Sequence, residues 1–397
     1  MKVRRRNSSR GPIRIMLVDP GGGLGGAEVV LDLLARRADA DQFSPIVVCL
    51  QQGSWPAGLR AAGIETYVFP RNHLRDLVRV ARIIGNLVRI IARRDVQIVH
   101  ANGNSALVYA SVAARLSHTR LVWHLHDPQR NTGLVRSVLL RILQWCDPDA
   151  VVFSSPAAEA VWKPLLAGLR ATQQVILPGV DTGRLAAGDA ARARRALGLP
   201  TDAPVVTMLA RPVAYKGQDL LVEALPIIRI AHPNVRVVFA GMSAEDEWGA
   251  SIATLAFSLG VEDNVVLPGY LPEDLKVDLL AATSILAHPS RTEPLGLAML
   301  EGMAAGVPVV AAATDGARLL VSPGQTGVLV PVGNQTALGE AIAALLDDAP
   351  RRQEMGSAAA ARADSLANGR MVKDVEAIWE AVTRASSSPE CGHRGPS

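Results

Sequence analysis

The sequence predicts an α/β chain of two doubly wound domains facing a central cleft. Three observations carry that expectation. At 397 residues the chain is about two to three times a typical domain, enough for two cores. Short β-branched runs alternate with longer helical patterns throughout, as in a parallel sheet covered by helices. The alternation then restarts after a polar, Arg- and Ala-rich stretch, Asp181 to Asp202. Each half therefore reads as one Rossmann-like unit.

In the first half, strands are expected at Ile13–Val18, Pro45–Leu50, Glu65–Phe69, Val96–His100, Leu121–His126, Ala150–Ser154 and Gln174–Leu177. In the second they are expected at Pro204–Ala210, Val235–Gly241, Asn264–Leu267, Ser284–Ala287, Val307–Ala311 and Val328–Val330. Several are apolar at consecutive positions, as strands buried on both faces should be. The resulting division is a basic start (1–12), a first domain (13–182), a second domain (183–365), a C-terminal helix (366–384) packing back on the first domain, and a tail (385–397). Start and tail are expected to be disordered, being charged or rich in Ser, Pro and Gly.

Composition narrows the function. Aromatics are 4% of residues, which argues against stacking platforms and a nucleic-acid partner. The net charge of +4 is too mild to name a partner. Cys49, Cys146 and Cys391 lie far apart, so neither a disulfide framework nor a zinc site is expected, and a reducing cytoplasm is. The short run Ile13–Val18 does not make a signal peptide, and no run approaches the ~20 apolar residues of a membrane span. The expectation is a cytoplasmic protein, soluble or peripheral.

In such sheets ligands bind beyond the carboxyl ends of strands, so residues directly after strands matter most. One such segment reads His288-Pro-Ser-Arg-Thr-Glu-Pro-Leu-Gly-Leu-Ala-Met-Leu-Glu301. Pro294 keeps Glu293 in the loop and suits the first turn of a helix, with Glu301 about two turns in. The N–H groups around Leu295, Gly296 and Leu297 suit a phosphate, and a carboxylate beside them suits a vicinal diol. The same residues also read as two surface glutamates around a helix start, where acids are stabilising anyway.

Glu-Pro-Leu-Gly, a second Glu eight residues after the first, and the following Gly302-Met-Ala-Ala-Gly-Val-Pro-Val309 resemble the signature of the retaining family 4 glycosyltransferases of the GT-B fold. The resemblance runs from about Ile13 to about Asp347. It implies two Rossmann-like domains, a nucleotide-sugar donor, and a retained anomeric configuration. It further implies that Glu293 lies near the donor sugar and phosphates and that Glu301 holds the ribose.

Arg211-Pro-Val-Ala-Tyr-Lys216-Gly217 follows another strand and fits a pyrophosphate, Arg bidentately and Lys as a point charge. No Asp-x-Asp stands after a strand to hold Mg²⁺ or Mn²⁺, so protein cations are expected to stabilise the leaving diphosphate. The spacing resembles the family's metal-free Arg and Lys. A solvated charge pair is the alternative.

Gly21-x-Gly23-x-x-Gly26 matches the dinucleotide fingerprint, but the next strand ends Val48-Cys49-Leu50-Gln51 without the acid a nicotinamide cofactor needs. Gly25 and Gly26 at a helix start resemble instead the family's acceptor-side loop, whose N–H groups approach the donor phosphate. An NAD(P)-dependent oxidoreductase and a non-catalytic nucleotide-sugar-binding protein stand as rivals.

His126-Asp127 resembles the family's His-Asp step, which implies that His126 reaches the donor sugar; His100 and His124 read as structural. Gly241, Tyr270 and Leu271 resemble loops around the base. There are departures: Pro178 stands where Asn usually precedes Gly179, Ser243 replaces a second Gly, and the acid often seen after a Gly-Gly turn is missing in Gly316-Ala-Arg-Leu-Leu320.

Asn72–Arg94 reads as one helix with Arg75, Arg79, Arg82, Arg89 and Arg93 on one face and Leu77, Val80, Ile84, Leu87, Val88 and Ile91 on the other. A core-packed helix with a solvated charged face explains this. So does contact with an anionic membrane surface. The sequence as a whole points to a metal-independent, retaining transfer from a nucleoside diphosphate-sugar to a carbohydrate or lipid-linked acceptor, with no cofactor and no nucleic acid.

Overall fold

The computed structural model describes residues 11–23, 25–71, 76–126, 133–367 and 370–384. Most of the expected start, the tail, Arg75 and Asp127 lie outside these residues. The chain forms two compact units, one of residues 1–179 with 369–397 and one of residues 180–368.

The first unit is built on seven strands, β1 (Ile13–Asp19), β2 (Phe43–Cys49), β3 (Thr66–Val68), β4 (Ile98–Asn102), β5 (Arg120–Leu125), β6 (Ala150–Phe153) and β7 (Thr172–Val175). They pair in the order β3-β2-β1-β4-β5-β6-β7, all parallel. The order reverses between β1 and β4, so their carboxyl ends flank the topological switch point where such sheets bind ligands. β1, β4, β5 and β6 are buried almost throughout, which explains their largely apolar sequences, with His100, Asn102 and His124 among the buried polar exceptions.

The helix Leu77–Arg94 shows the amphipathic logic of the covering layer. Asp76 caps it by accepting from Arg79 N at 3.0 Å. Ile83, Leu87, Ile90 and Ile91 are buried, while Arg82, Arg89 and Arg93 are exposed. The last helix, Arg370–Arg384, buries Met371, Val375, Ile378 and Trp379 in the same unit. There Trp379 meets Phe43 edge-on at 5.3 Å and donates from Nε1 to His100 Nδ1 at 3.0 Å.

The second unit holds β8 (Val205–Leu209), β9 (Arg236–Ala240), β10 (Met242–Ser243), β11 (Val265–Val266), β12 (Pro268–Gly269), β13 (Ile285–His288), β14 (Val309–Ala312) and β15 (Gly327–Val330). The main sheet runs β11-β9-β8-β13-β14-β15, all parallel, with its switch point between β8 and β13. β10 and β12 make a separate antiparallel pair that patterning did not reveal, because two-residue strands carry no periodicity. Among the described residues no helix is long and apolar enough to cross a membrane.

One local expectation is corrected. The helix after Glu293 begins at Leu297, not at Pro294, and ends at Ala304. Gly296 is its N-cap with φ of 88°, a left-handed conformation that Gly adopts without strain. Pro294 and Leu295 therefore belong to the loop, and Glu301 sits little more than one turn into the helix.

Candidate active site

In the second unit, β8 and β13 end side by side and their loops are tied together. Gly217 has φ of 81°, and a Cβ there would stand 2.3 Å from Pro289 O. Only glycine allows that approach. Arg291 N donates to Tyr215 O at 2.8 Å, and the Arg291 guanidinium pairs with Asp219 at 2.7 Å.

This closure brings Lys216 and Glu293, which are 77 residues apart, to 2.6 Å across the switch point. His288 Nε2 lies 2.8 Å from the same Glu293 oxygen, and Ser290 Oγ is 3.2 Å from that nitrogen. Burial alone would raise the Glu293 carboxyl. The His288 hydrogen bond and the neighbouring charges of His288 and Lys216 outweigh it and hold the carboxyl at about 2. Glu293 is thus an ionised carboxylate locked by two partners.

From the next turn of chain, Gly316 N donates to Glu293 O at 2.8 Å. A Cβ on Gly316 would stand 2.4 Å from Leu295 O, so this glycine lets the following helix support the Glu293 loop. At the start of the helix Leu297–Ala304, Met299 N and Leu300 N donate to Gly296 O at 2.9 and 3.4 Å, which leaves the N–H groups of Leu297 and Ala298 without an acceptor in the helix.

Glu301 is nearly buried and is met by Lys276 at 2.8 Å; Lys276 also reaches Glu273 at 3.1 Å. Burial works against the Lys276 ammonium, but the two glutamates more than offset it and raise its pKa. Arg211 is exposed, and its guanidinium donates to Tyr215 Oη at 3.2 Å. Gly241, with φ of 97°, accommodates Ala210 O and donates from N to Gly269 O at 2.9 Å. Tyr270 is 59% exposed while Leu271 is buried, so in this loop only the tyrosine ring is presented.

The sequence reading did not single out His288, Ser290 or Lys276, and it named Gly316 only for an acid missing after it. His288 and Ser290 could have been found from their place at the end of β13. Lys276 carries no sequence signal that ties it to Glu301, because their contact depends on how two helices pack.

The first unit gathers polar groups at its own switch point. Asp19 ends β1 and Asn102 ends β4, and Asn102 Nδ2 donates to Asp19 Oδ2 at 2.6 Å. Asn102 Oδ1 lies 2.7 Å from His126 Nε2. Asp19 Oδ1 accepts from Gly21 N at 2.7 Å, and Glu28 Oε2 accepts from Gly25 N at 3.1 Å. The Gly25 N–H, expected to approach a donor phosphate, is therefore taken by Glu28, and Gly26 opens the helix Gly26–Arg37. A dinucleotide pyrophosphate would meet two carboxylates here, which weighs against a nicotinamide site. Burial above all, then the Glu28 charge, raises Asp19 to about 7. Among the described residues no group of three His, Cys, Asp or Glu side chains could hold a metal ion.

Two doubly wound units, each on an all-parallel main sheet with polar groups gathered at its switch point, match the two Rossmann-like domains of the GT-B fold. Residues 24–184 match the model of Glycosyltransferase Family 4, and residues 189–362 match that of Glycosyl transferases group 1. The GDP-mannose-dependent alpha-(1-6)-phosphatidylinositol monomannoside mannosyltransferase of Mycolicibacterium smegmatis is 32% identical over 289 residues, 70% of this chain and 74% of that protein. The D-inositol 3-phosphate glycosyltransferase of Corynebacterium aurimucosum is 34% identical over 226 residues, 55% of this chain. The chain spans 53% of that relative's length, and about half the length of two further proteins of the same name. Anabaena HepE in complex with UDP and glucose superimposes with a TM-score of 0.80 at 25% identity, covering 93% of this chain and all of that one. The chain belongs to the family 4 glycosyltransferases.

Proposed function

We propose that the chain moves a sugar from a nucleoside diphosphate donor to the hydroxyl of a carbohydrate or lipid-linked acceptor, with retained configuration and without a metal. The observation that carries this reading is the Lys216–Glu293 pair at the switch point, with Lys276–Glu301 on the adjoining helix. Lys216 and Arg211 supply positive charge for the departing diphosphate. The helix start at Leu297 offers N–H groups to a phosphate, and Glu301 Oε2 accepts from a ribose hydroxyl while Lys276 holds Oε1. Gly241 and the presented ring of Tyr270 border the base, while buried Leu271 anchors the Tyr270 loop; Glu293 and His126 orient the donor sugar.

The bond between the anomeric carbon and the phosphate oxygen breaks as the acceptor oxygen bonds the same face. The acceptor's proton passes to the leaving phosphate oxygen, so no protein nucleophile is needed. Relatives named for inositol phosphate and phosphatidylinositol acceptors support a polyol or lipid-linked acceptor.

The membrane part of the proposal places the protein on the inner face of the cytoplasmic membrane. It rests on the helix Leu77–Arg94, where Arg82, Arg89 and Arg93 are exposed alongside Leu77 and Val78, 73% and 71% exposed. Flotation with liposomes should increase with anionic lipid, and equal flotation on neutral lipid defeats this part.

The decisive test is a thermal-shift series with UDP, GDP and ADP, each with and without EDTA, followed by transfer assays and determination of the product anomer. One diphosphate should stabilise the protein regardless of EDTA, and the variant carrying both Glu293→Gln and Lys216→Ala should lose transfer. Strict metal dependence, or full activity in that variant, refutes the mechanism.

A further inference from the structure

Polar contacts link the last residues of β1 and β4, Asp19 and Asn102, to His126 just after β5, and hydrogen-bond chemistry fixes where the protons sit. Asn102 Nδ2 contacts Asp19 Oδ2 at 2.6 Å and Ala27 O at 3.0 Å. A backbone carbonyl only accepts, so the amide nitrogen must face it and Asn102 Oδ1 must be an acceptor. Its partner at 2.7 Å, His126 Nε2, is therefore the donor.

A second set of contacts reaches the neighbouring ring from the opposite side. Trp379 Nε1 can only donate, so His100 Nδ1 accepts and His100 carries its proton on Nε2. That proton points to His124 Nδ1 at 3.3 Å, which leaves the His124 proton on its Nε2. His124 Nε2 is buried with no hydrogen-bond partner among the described residues. The His124 ring lies over His126 at 4.5 Å with an interplanar angle of 16°.

The groups around His126 thus comprise His124 on β5, which ends one residue before it, His100 and Asn102 on β4, Asp19 on β1, and Ser154 after β6, whose Oγ donates to His126 O at 3.3 Å. Glu28 and Arg71 act on Asp19. Burial lowers His126 to about 4, so the ring is neutral at pH 7.

We propose that Asn102, oriented by Asp19, is a positioning residue that holds His126 as the Nε2–H tautomer and so leaves Nδ1 to accept a hydrogen bond from a hydroxyl of the donor sugar. The sugar contact rests on the function proposed above; the tautomer assignment does not. His126 acts in this arrangement as a fixed acceptor and not as an acid. Asp19 contributes because its other oxygen is anchored by Gly21 N, so the amide of Asn102 cannot rotate without losing both Nδ2 contacts.

The test is long-range ¹⁵N–¹H correlation of the imidazoles in full-length protein at pH 7, with His126 assigned by the loss of its signals in His126→Gln. Wild type should show the neutral Nε2–H form. Asn102→Leu should give a mixture of tautomers, and Asn102→Asp should raise the His126 titration and make the ring cationic at a higher pH than in wild type. Circular dichroism of each variant separates these shifts from unfolding. An Nδ1–H form in wild type, or an unchanged tautomer in folded Asn102→Leu, overturns the proposal. With UDP-glucose or GDP-mannose the His126 Nδ1 resonance should move, while the matching diphosphate alone should not move it. Transfer by Asn102→Leu should fall about tenfold to a hundredfold in kcat with little change in donor KM. If no nucleotide-sugar binds, the tautomer experiments still stand, so the two readings fail separately.

Discussion

Lys276 Nζ lies 2.8 Å from Glu301 Oε1, although the two residues are 25 positions apart on different helices. Both side chains are mostly buried, 15% and 11% exposed, and the Glu301 charge helps keep Lys276 a cation against its burial. Lys276→Met leaves Glu301 without its cation and should cost about 3 kcal/mol in urea unfolding. Adding Glu301→Gln to Lys276→Met should recover most of that loss. If Glu301 holds the ribose, Glu301→Gln should also lower the preference for a nucleoside diphosphate over its 2′,3′-dideoxy analogue, measured by calorimetry.

The two units were legible in the sequence because buried parallel strands write themselves as apolar runs, as β6, β8 and the middle of β1 do. Glu293 and Glu301 were legible because their segment follows a strand and resembles a family signature. Their partners were not read as such, although His288 stands at the end of β13, where a ligand-facing residue is expected. Lys276 and His288 act through contacts set by helix packing and by the closure of two loops, and neither leaves a periodic trace. The short pair β10 and β12 was hidden for a related reason: Gly241 and Gly269 make it by backbone approach, without any side-chain pattern.

Acid should expose the locked state of Glu293. Its folded value of about 2 lies below the ordinary 4.5, so the unfolded chain binds more protons between those values. The resulting stabilisation is complete above pH ~4.5 and lost as pH falls through about 2. The shift corresponds to about 3 kcal/mol. Urea denaturation at pH 3 and pH 6 should show a smaller acid loss in Glu293→Gln than in wild type, and equal losses would contradict the assignment.

Asp19 should act in the opposite sense. Burial and Glu28 raise it from 3.8 to about 7, so here the folded chain binds more protons across that window. Its contribution is fully present below about 3.8 and is lost as pH rises through 7. Between pH 5 and 8 the melting temperature of wild type should therefore decline more than that of Asp19→Asn. The amide will cost stability of its own, since Gly21 N and Asn102 Nδ2 both need acceptors, but that cost does not vary with pH. A variant with the same slope as wild type would mean that Asp19 does not titrate there.

Gly217 and Gly316 should tolerate no side chain, for a reason that separates site geometry from general stability. An added Cβ at 217 meets Pro289 O at 2.3 Å, and one at 316 meets Leu295 O at 2.4 Å; both obstacles are backbone. Gly217 is also held at φ of 81°, where alanine is strained. Each change should destabilise the second unit by about 1–3 kcal/mol by overpacking. Both also push on the loops that carry Lys216 and Glu293, whereas Gly260→Ala, at φ of 63° with open space around it, is strained without touching them. Gly217→Ala and Gly316→Ala should therefore weaken nucleoside diphosphate binding at a temperature where each remains folded, and Gly260→Ala should not. Equal binding in all three would show that the Lys216–Glu293 contact does not depend on these close approaches.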